Sequence, residues 1–355
     1  MEVIEFVVGA LLVAWVLWDV FESVVVPRPT PSRVRLGENL VRWTWRLWRW
    51  VAMRTRTGLS REQFIGSYAP LAVILLLGVW LVAVVLGYGL ILFALRSQIT
   101  PQPTDLLAAA YFAGVSVLTL GGDLVATGPL ARVVVLAAAA TGFGVVALVI
   151  TFLFSLFGNF QRREVLVVKL QARAGAPPSG VALLETYGKQ GLRGELGTFF
   201  STWETWAAEV LDSHLAYPLL PYFRSTHDHQ SWVSALGAVL DAATLVMTTV
   251  EDDALPQARL VHAAGNHLVE DLSSHFRFAS GPDAVVERFE FEDARNRLGA
   301  AGYTLRDGQQ AWDDFAQVRS SYASLLNAWA LYWMTPPAQW IGDRSVLRHH
   351  RHVAP

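Results

Sequence analysis

The residues that suggest chemistry lie in one short stretch, from Thr104 to Asp123. Thr104-Asp105 reads as an N-cap followed by an acidic first turn. Leu106 to Val117 then forms an apolar helix of about three turns, half the length a membrane crossing needs. Thr119-Leu120-Gly121-Gly122-Asp123 follows it, and a half-length apolar helix ending in such a glycine-containing segment reads as a re-entrant loop. Backbone of that kind is tolerated at membrane depth only where it lines water or is buried in protein. The chemistry on offer is attraction of cations. The C-terminal end of the half-helix, near Leu118, points partial negative charge at the loop. Asp123 adds a carboxylate, and no basic residue lies in the long apolar runs on either side.

Those flanking runs must position the loop. The chain has 355 residues, is 53% hydrophobic and only 16% charged, and contains 14 Trp, which favours a membrane class. The apolar residues concentrate before residue 160. Val3–Val26, Tyr68–Leu95 and Val133–Phe157 are each long enough to cross roughly 30 Å of hydrocarbon. The first begins Met-Glu-Val-Ile-Glu and runs into Val-Val-Val-Pro, so it reads as an uncleaved anchor and not as a signal peptide. Asp19 and Glu22 near its inner end are expected at the interface or paired with a nearby arginine.

Arg28, Arg33, Arg35, Arg42, Arg46, Arg49, Arg54, Arg56 and Arg61 crowd the first connection, opposed by Glu38 and Glu62. The positive-inside rule places that connection in the cytoplasm and the N-terminus outside. Arg162 and Arg163 put everything after the third span in the cytoplasm as well, at the cell (inner) membrane. Within the connection, Leu36, Leu40, Trp43, Leu47 and Val51 share one helical face, while Arg35, Arg42, Arg46 and Arg49 share another. This reads as a helix in the inner-leaflet interface, the alternative being a cytoplasmic helix packed on the C-terminal half.

Tyr111-Phe112-Ala113-Gly114-Val115-Ser116-Val117-Leu118-Thr119-Leu120-Gly121-Gly122-Asp123 resembles the pore-helix and filter signature of potassium channels. Gly128-Pro129-Leu130-Ala131-Arg132 resembles the family's link to its inner helix, and the whole likeness runs from Tyr68 to Asn159. A similar first span and helical tail occur in a bacterial group of two-transmembrane ion channels. The resemblance implies a homotetramer in the lipid bilayer, passing a monovalent cation, K+ or Na+, through stacked carbonyls that replace its hydration shell. It makes Thr119, Leu120, Gly121, Gly122 and Asp123 the selectivity filter, with Asp123 ringing the outer mouth. Thr141-Gly142-Phe143-Gly144 falls where the family's inner helix bends, so Gly142 and Gly144 are hinge candidates. Phe152, Phe154 and Phe157 are candidates for an inner hydrophobic gate, packing against lipid or a neighbour being the alternative for each.

The chain departs from the family at Gly121, where the expected aromatic is missing. A filter one residue shorter loses about 3 Å of path and roughly one ring of carbonyls. Weak discrimination between potassium and sodium is the expectation. The same departure keeps a second reading open, a non-conducting membrane scaffold or sensor acting through its C-terminal half. A transporter subunit is disfavoured because the spans show no inverted repeat.

After a linker containing Gly175, Pro177, Pro178 and Gly180, helical periodicity runs to the end. The expected helices are Val181–Tyr187, Leu196–Leu215, Trp232–Val250, Pro256–Phe278, Pro282–Ala301 and Asp307–Tyr332, with Gly281-Pro282 and Gly302 as punctuation. Asp241 at the centre of the most apolar one marks it as a core helix. The fold class is therefore an all-α membrane protein: three transmembrane helices, a re-entrant pore helix with its filter, and a cytoplasmic all-α domain. Its segments are 1–26 (anchor), 27–65 (basic linker), 66–160 (pore domain) and 161–355 (helical domain).

Other chemistries find little support. There is no Cys, and a net charge of −2 favours no nucleic acid. Gly191 to Gly197 has spaced glycines but misses the dinucleotide fingerprint, and no phosphate-loop lysine motif is present. His227-Asp228-His229 and the set His262, His267, Asp271 and His275 are the only metal-ligand clusters, and their spacing argues against a site. His349, His350 and His352 end the chain in a basic tail. Neither a cofactor nor enzymatic activity is expected, and any ligand or protein partner of the helical half stays unidentified.

Overall fold

The computed structural model describes residues 1–24, 26, 36–54, 59–227, 229–280 and 285–342. Arg28, Arg33, Arg35, Arg56, Asp228, Gly281, Pro282, His349, His350 and His352 lie outside the described residues. Two compact units are present. The first is Met1–Gly158 with Ala216–Leu219; the second is Asn159–Leu215 and the chain from Leu220 on.

The first unit holds α1 (Glu2–Val24), α2 (Leu36–Arg54), α3 (Leu59–Gly66), α4 (Tyr68–Ala94), α5 (Leu106–Val117) and the first part of α6 (Pro129–Ala174). Helices α1, α4 and α6 are long and apolar enough to cross a membrane. α1 and α4 form an antiparallel pair, tied at three levels. At one end Arg96 pairs with Glu2 at 2.8 Å and Glu5 at 3.4 Å. Midway, Gly9 and Gly87 let the backbones close: a Cβ on Gly87 would stand 2.7 Å from Val13 Cγ2 and 3.2 Å from the Gly9 carbonyl oxygen. Towards the other end, the Trp80 indole donates to Asp19 Oδ2 at 2.8 Å. Asp19 and Glu22 are thus buried against the helix pair and not left at a wet surface.

α2 is a helix, as its periodicity predicts, but its apolar residues divide between two faces. Trp45 and Ala52 are buried. Trp48 stacks on Phe64 of α3 at 4.5 Å, and the Tyr68 hydroxyl donates to the Val41 carbonyl. Trp43, Leu47, Trp50 and Met53 stay exposed.

The helix of the third span does not end at Phe157. α6 continues as one helix to Ala174 and stops at Gly175, whose φ of +81° suits only glycine, with Pro177 just beyond. The expected linker after Glu164 is therefore helical for another three turns, roughly. Two-residue strands β1 (Ile99–Thr100) and β2 (Val125–Ala126) also pair antiparallel across the re-entrant segment, an element too short to leave a sequence signal.

The second unit contains the rest of α6 and α7 (Gly180–Lys189), α8 (Leu196–Ala216), α9 (Trp232–Thr248), α10 (Leu255–Phe276), α11 (Arg288–Ala300), α12 (Gly308–Ser320) and α13 (Ala323–Trp333). α9 is its buried axis, packed on α7, α10, α12 and α13. Its one acid is fully engaged: Asp241 Oδ1 accepts from Arg319 Nε at 2.9 Å and from the Tyr322 hydroxyl at 2.7 Å. Burial, with the Asp241 charge beside it, pushes the Tyr322 phenol well above its ordinary value.

This network explains why the expected helix Asp307–Tyr332 is two. The chain leaves helical geometry at Tyr322 (φ −123°), whose hydroxyl reaches into α9. Val250 likewise leaves α9 to pair, in β3 (Val250–Glu251), with β4 (Thr304–Leu305). The α10 helix ends at Phe276 because Arg277 turns left-handed (φ +58°), and α11 starts at Arg288 behind a capping box on Glu287 and Glu290. Gly87→Val should push α1 off α4. We expect about 1–3 kcal/mol lower stability, read as a depressed unfolding midpoint in detergent, whereas Gly78→Val, in open space, leaves it unchanged.

Candidate functional site

The site is built from the turn after α5. Asp105 caps that helix, its Oδ1 accepting from the Ala108 amide at 2.8 Å. Gly89 of α4 lets α5 approach, since a Cβ there would lie 2.9 Å from Ala110 Cα. At the other end the helix closes in a double-bonded cap. The Thr119 amide donates to the Ser116 carbonyl at 3.1 Å and the Leu120 amide to the Val115 carbonyl at 2.9 Å, with Thr119 left-handed at φ +55°. Gly121 is left-handed too (φ +74°), and Gly122 faces Val115, where a Cβ would come within 3.1 Å of Cγ2.

Leu118 through Asp123 are all exposed, Leu120 to 72%. Thr119, Leu120, Gly121, Gly122 and Asp123 therefore form one continuous surface loop at the C-terminal end of α5. Two left-handed residues, Thr119 and Gly121, flank Leu120.

The loop is held from behind by contacts that sequence reasoning did not find. The Val117 carbonyl sits against Gly142 of α6 so closely that a Cβ on Gly142 would overlap its oxygen. One residue away, Thr141 Oγ1 and the Tyr88 hydroxyl lie 2.8 Å apart, joining α6 to α4. On the far limb, Gln98 accepts from the Leu130 and Ala131 amides through its side chain, at 3.2 Å each. Its carbonyl accepts from the Thr127 amide at 2.8 Å, so one residue caps α6 and ties down the returning strand. A tyrosine in the middle of an apolar run was a usable signal for Tyr88; nothing marked Gln98.

The other predicted residues are spread along α6. Gly142 and Gly144 both lie in uninterrupted helix; Gly142 is packed under Val117, while Gly144 has open space around it. Phe152 is buried, its ring 5.7 Å from that of Tyr217, whereas Phe154 and Phe157 are exposed. The three do not converge within one chain.

Among the described residues no group of three potential ligands could hold a metal ion. His267 and Asp271 form an exposed pair at 3.6 Å. The histidine with a distinctive setting is His214, which no sequence motif marked. It is fully buried, 3.2 Å from Arg163, and packed 4.8 Å from the Trp232 ring. Arg163 also donates to Glu164 and to the Leu220 and Phe223 carbonyls. Burial, and next the Arg163 charge, hold His214 well below the ordinary histidine value, so it stays neutral.

Two outcomes follow from this geometry. Gly142→Ala should cost about 1–3 kcal/mol through overlap with the Val117 carbonyl, seen as a lower unfolding midpoint, and Gly144→Ala should cost nothing comparable. Because the folded state resists protonating His214 and the unfolded chain does not, acid favours unfolding. Stability should fall as pH drops below the ordinary histidine value and keep falling to the depressed one. His214→Gln should flatten that part of the pH profile.

Residues 75–159, from α4 into α6, match the family model described as an ion channel. No curated protein and no solved structure matches the chain. With three helices able to span a bilayer and the half-helix loop between two of them, the chain is a membrane protein in which residues 75–159 are similar to the ion-channel family that this model describes.

Proposed function

We propose that four copies of this chain assemble into a cation channel, with the Thr119–Asp123 loops converging on its axis as a short, weakly selective filter. One observation carries the reading: α5, a 12-residue helix of about 18 Å, ends in an exposed loop while α4 packs along it and Gly142 of α6 meets its last carbonyl. A loop so built has a purpose where water and ions pass. One chain carries one such loop, so a ring of oxygens requires several chains. Exposed Val133, Leu136, Phe143, Val146, Ile150 and Phe154 on α6 supply apolar surface for neighbouring copies and for lipid.

The direction of insertion follows from arginine. Charges between α1 and α4 and after Asn159 keep those segments in the cytoplasm, leaving the N-terminus outside. Conduction is passive, for K+ or Na+, and needs no cofactor or enzymatic step.

A second reading, a non-conducting scaffold derived from a channel, is favoured by the cap at the end of α5. The Thr119 and Leu120 amides are bonded back to the helix, so the first residues of the loop form a turn and not an extended strand.

Reconstitution into liposomes separates the two. The channel reading expects potassium and sodium flux of similar size, with a reversal potential near zero in opposing potassium and sodium gradients. Gly121→Ala, which forces a side chain into a left-handed position at about 1–2 kcal/mol, should abolish the flux. The solubilised particle should weigh about four times 39.1 kDa. A tetramer without flux under any condition would establish the scaffold.

A further inference from the structure

The exposed face of α2 is an apolar stripe with built-in cations. Trp43, Leu47 and Trp50 are 67%, 63% and 49% exposed and follow one another at helical spacing. The Arg46 guanidinium lies over the Trp43 ring, 5.2 Å from its centroid, and that of Arg54 over the Trp50 ring at 3.5 Å. Neither Arg46 nor Arg54 is in an ion pair among the described residues. The opposite face is spoken for: Trp45 is buried, Trp48 stacks on Phe64, and Thr44 and Val41 meet the Tyr68 hydroxyl at the start of α4. Rotation of α2 about its axis is thereby fixed, and the stripe faces outward by construction.

We propose that this face is a binding surface for anionic phospholipid, in the leaflet where α1 ends and α4 begins. The indole rings and Leu47 enter the acyl boundary. Each guanidinium, placed over an indole ring, offers N–H groups to a headgroup phosphate. A zwitterionic surface would satisfy the stripe but not the two cations, so charge complementarity selects the anionic lipid. Because α2 is bonded through Tyr68 and Phe64 to α4, bound lipid presses on the helix that buries α5. The inference rests on the chain being a membrane protein and not on conduction.

Native mass spectrometry of the full chain in detergent tests this, with equal amounts of phosphatidylglycerol and phosphatidylcholine added. Wild type should retain phosphatidylglycerol preferentially. Arg46→Gln with Arg54→Gln should lower that preference about thirtyfold, from two surface cations lost. Arg259→Gln with Arg288→Gln, the same charge change elsewhere, should not. Arg46→Lys with Arg54→Lys, which keeps the charge and loses the forked donors, should fall between and guards against misfolding as the explanation. No lipid preference in wild type, or an unchanged one in the first double variant, overturns the proposal. If Trp43→Ser with Trp50→Ser changes the particle mass and leaves the lipid ratio intact, a second copy covers the stripe and the proposal fails.

Discussion

The Val117 carbonyl resting on Gly142 fixes the geometry on which the loop depends. A helix that stops halfway through an apolar layer leaves carbonyls that water cannot reach, and each must find a partner or a close-packed seat. Here Val115 and Ser116 are taken by the amides of the turn itself, and Val117 is seated on a residue with no Cβ. Any larger side chain at 142 would lift α6 off α5. The same device recurs outward through the first unit. Gly89 admits Ala110, and Gly9 and Gly87 admit each other. In lipid the hydrophobic effect gives helices no reason to associate, so close approach at small residues and a few polar bonds must do so. Trp80 to Asp19 and Tyr88 to Thr141 are those bonds, one on each side of α4.

Much of this architecture was legible in the sequence because the bilayer restricts the options. Three apolar runs and a half-length fourth admit few arrangements, and the glycine turn after the half-helix admits fewer. What stayed hidden has a common cause: tertiary partners that change the meaning of a local signal. Arg162 and Arg163 read as the end of a span, yet Arg163 is buried in an extended helix because Glu164 and two backbone carbonyls receive it. Leu36, Leu40, Trp43, Leu47 and Val51 read as the apolar face of α2, yet Trp45 and Trp48, outside that set, turn inward to Tyr68 and Phe64. Tyr322 reads as helix interior, and Asp241 draws it out of the helix. The central acid in α9, by contrast, was read correctly as the mark of a core helix. A charge deep in the apolar run of a core helix must be paired, and an arginine and a tyrosine pair it.

The absent filter aromatic now has a structural context. In the family resembled, that ring braces the filter against its own pore helix, sideways within the loop. In this chain the loop has no such ring, and the bracing contacts lie behind it. Gly122 abuts Val115, Val117 abuts Gly142, and the Tyr88–Thr141 pair holds α6 in the register that keeps Gly142 in place. Support from behind fixes where the loop begins but does less to fix its width, since nothing within the loop resists sideways spreading. Discrimination between two ions of equal charge depends on how firmly the oxygens keep their spacing and on how many there are. On the proposed filter reading, a loop one residue short and without that ring would be deficient on both counts. Under that proposal, weak selectivity would follow from the missing ring's support as well as from the shorter path.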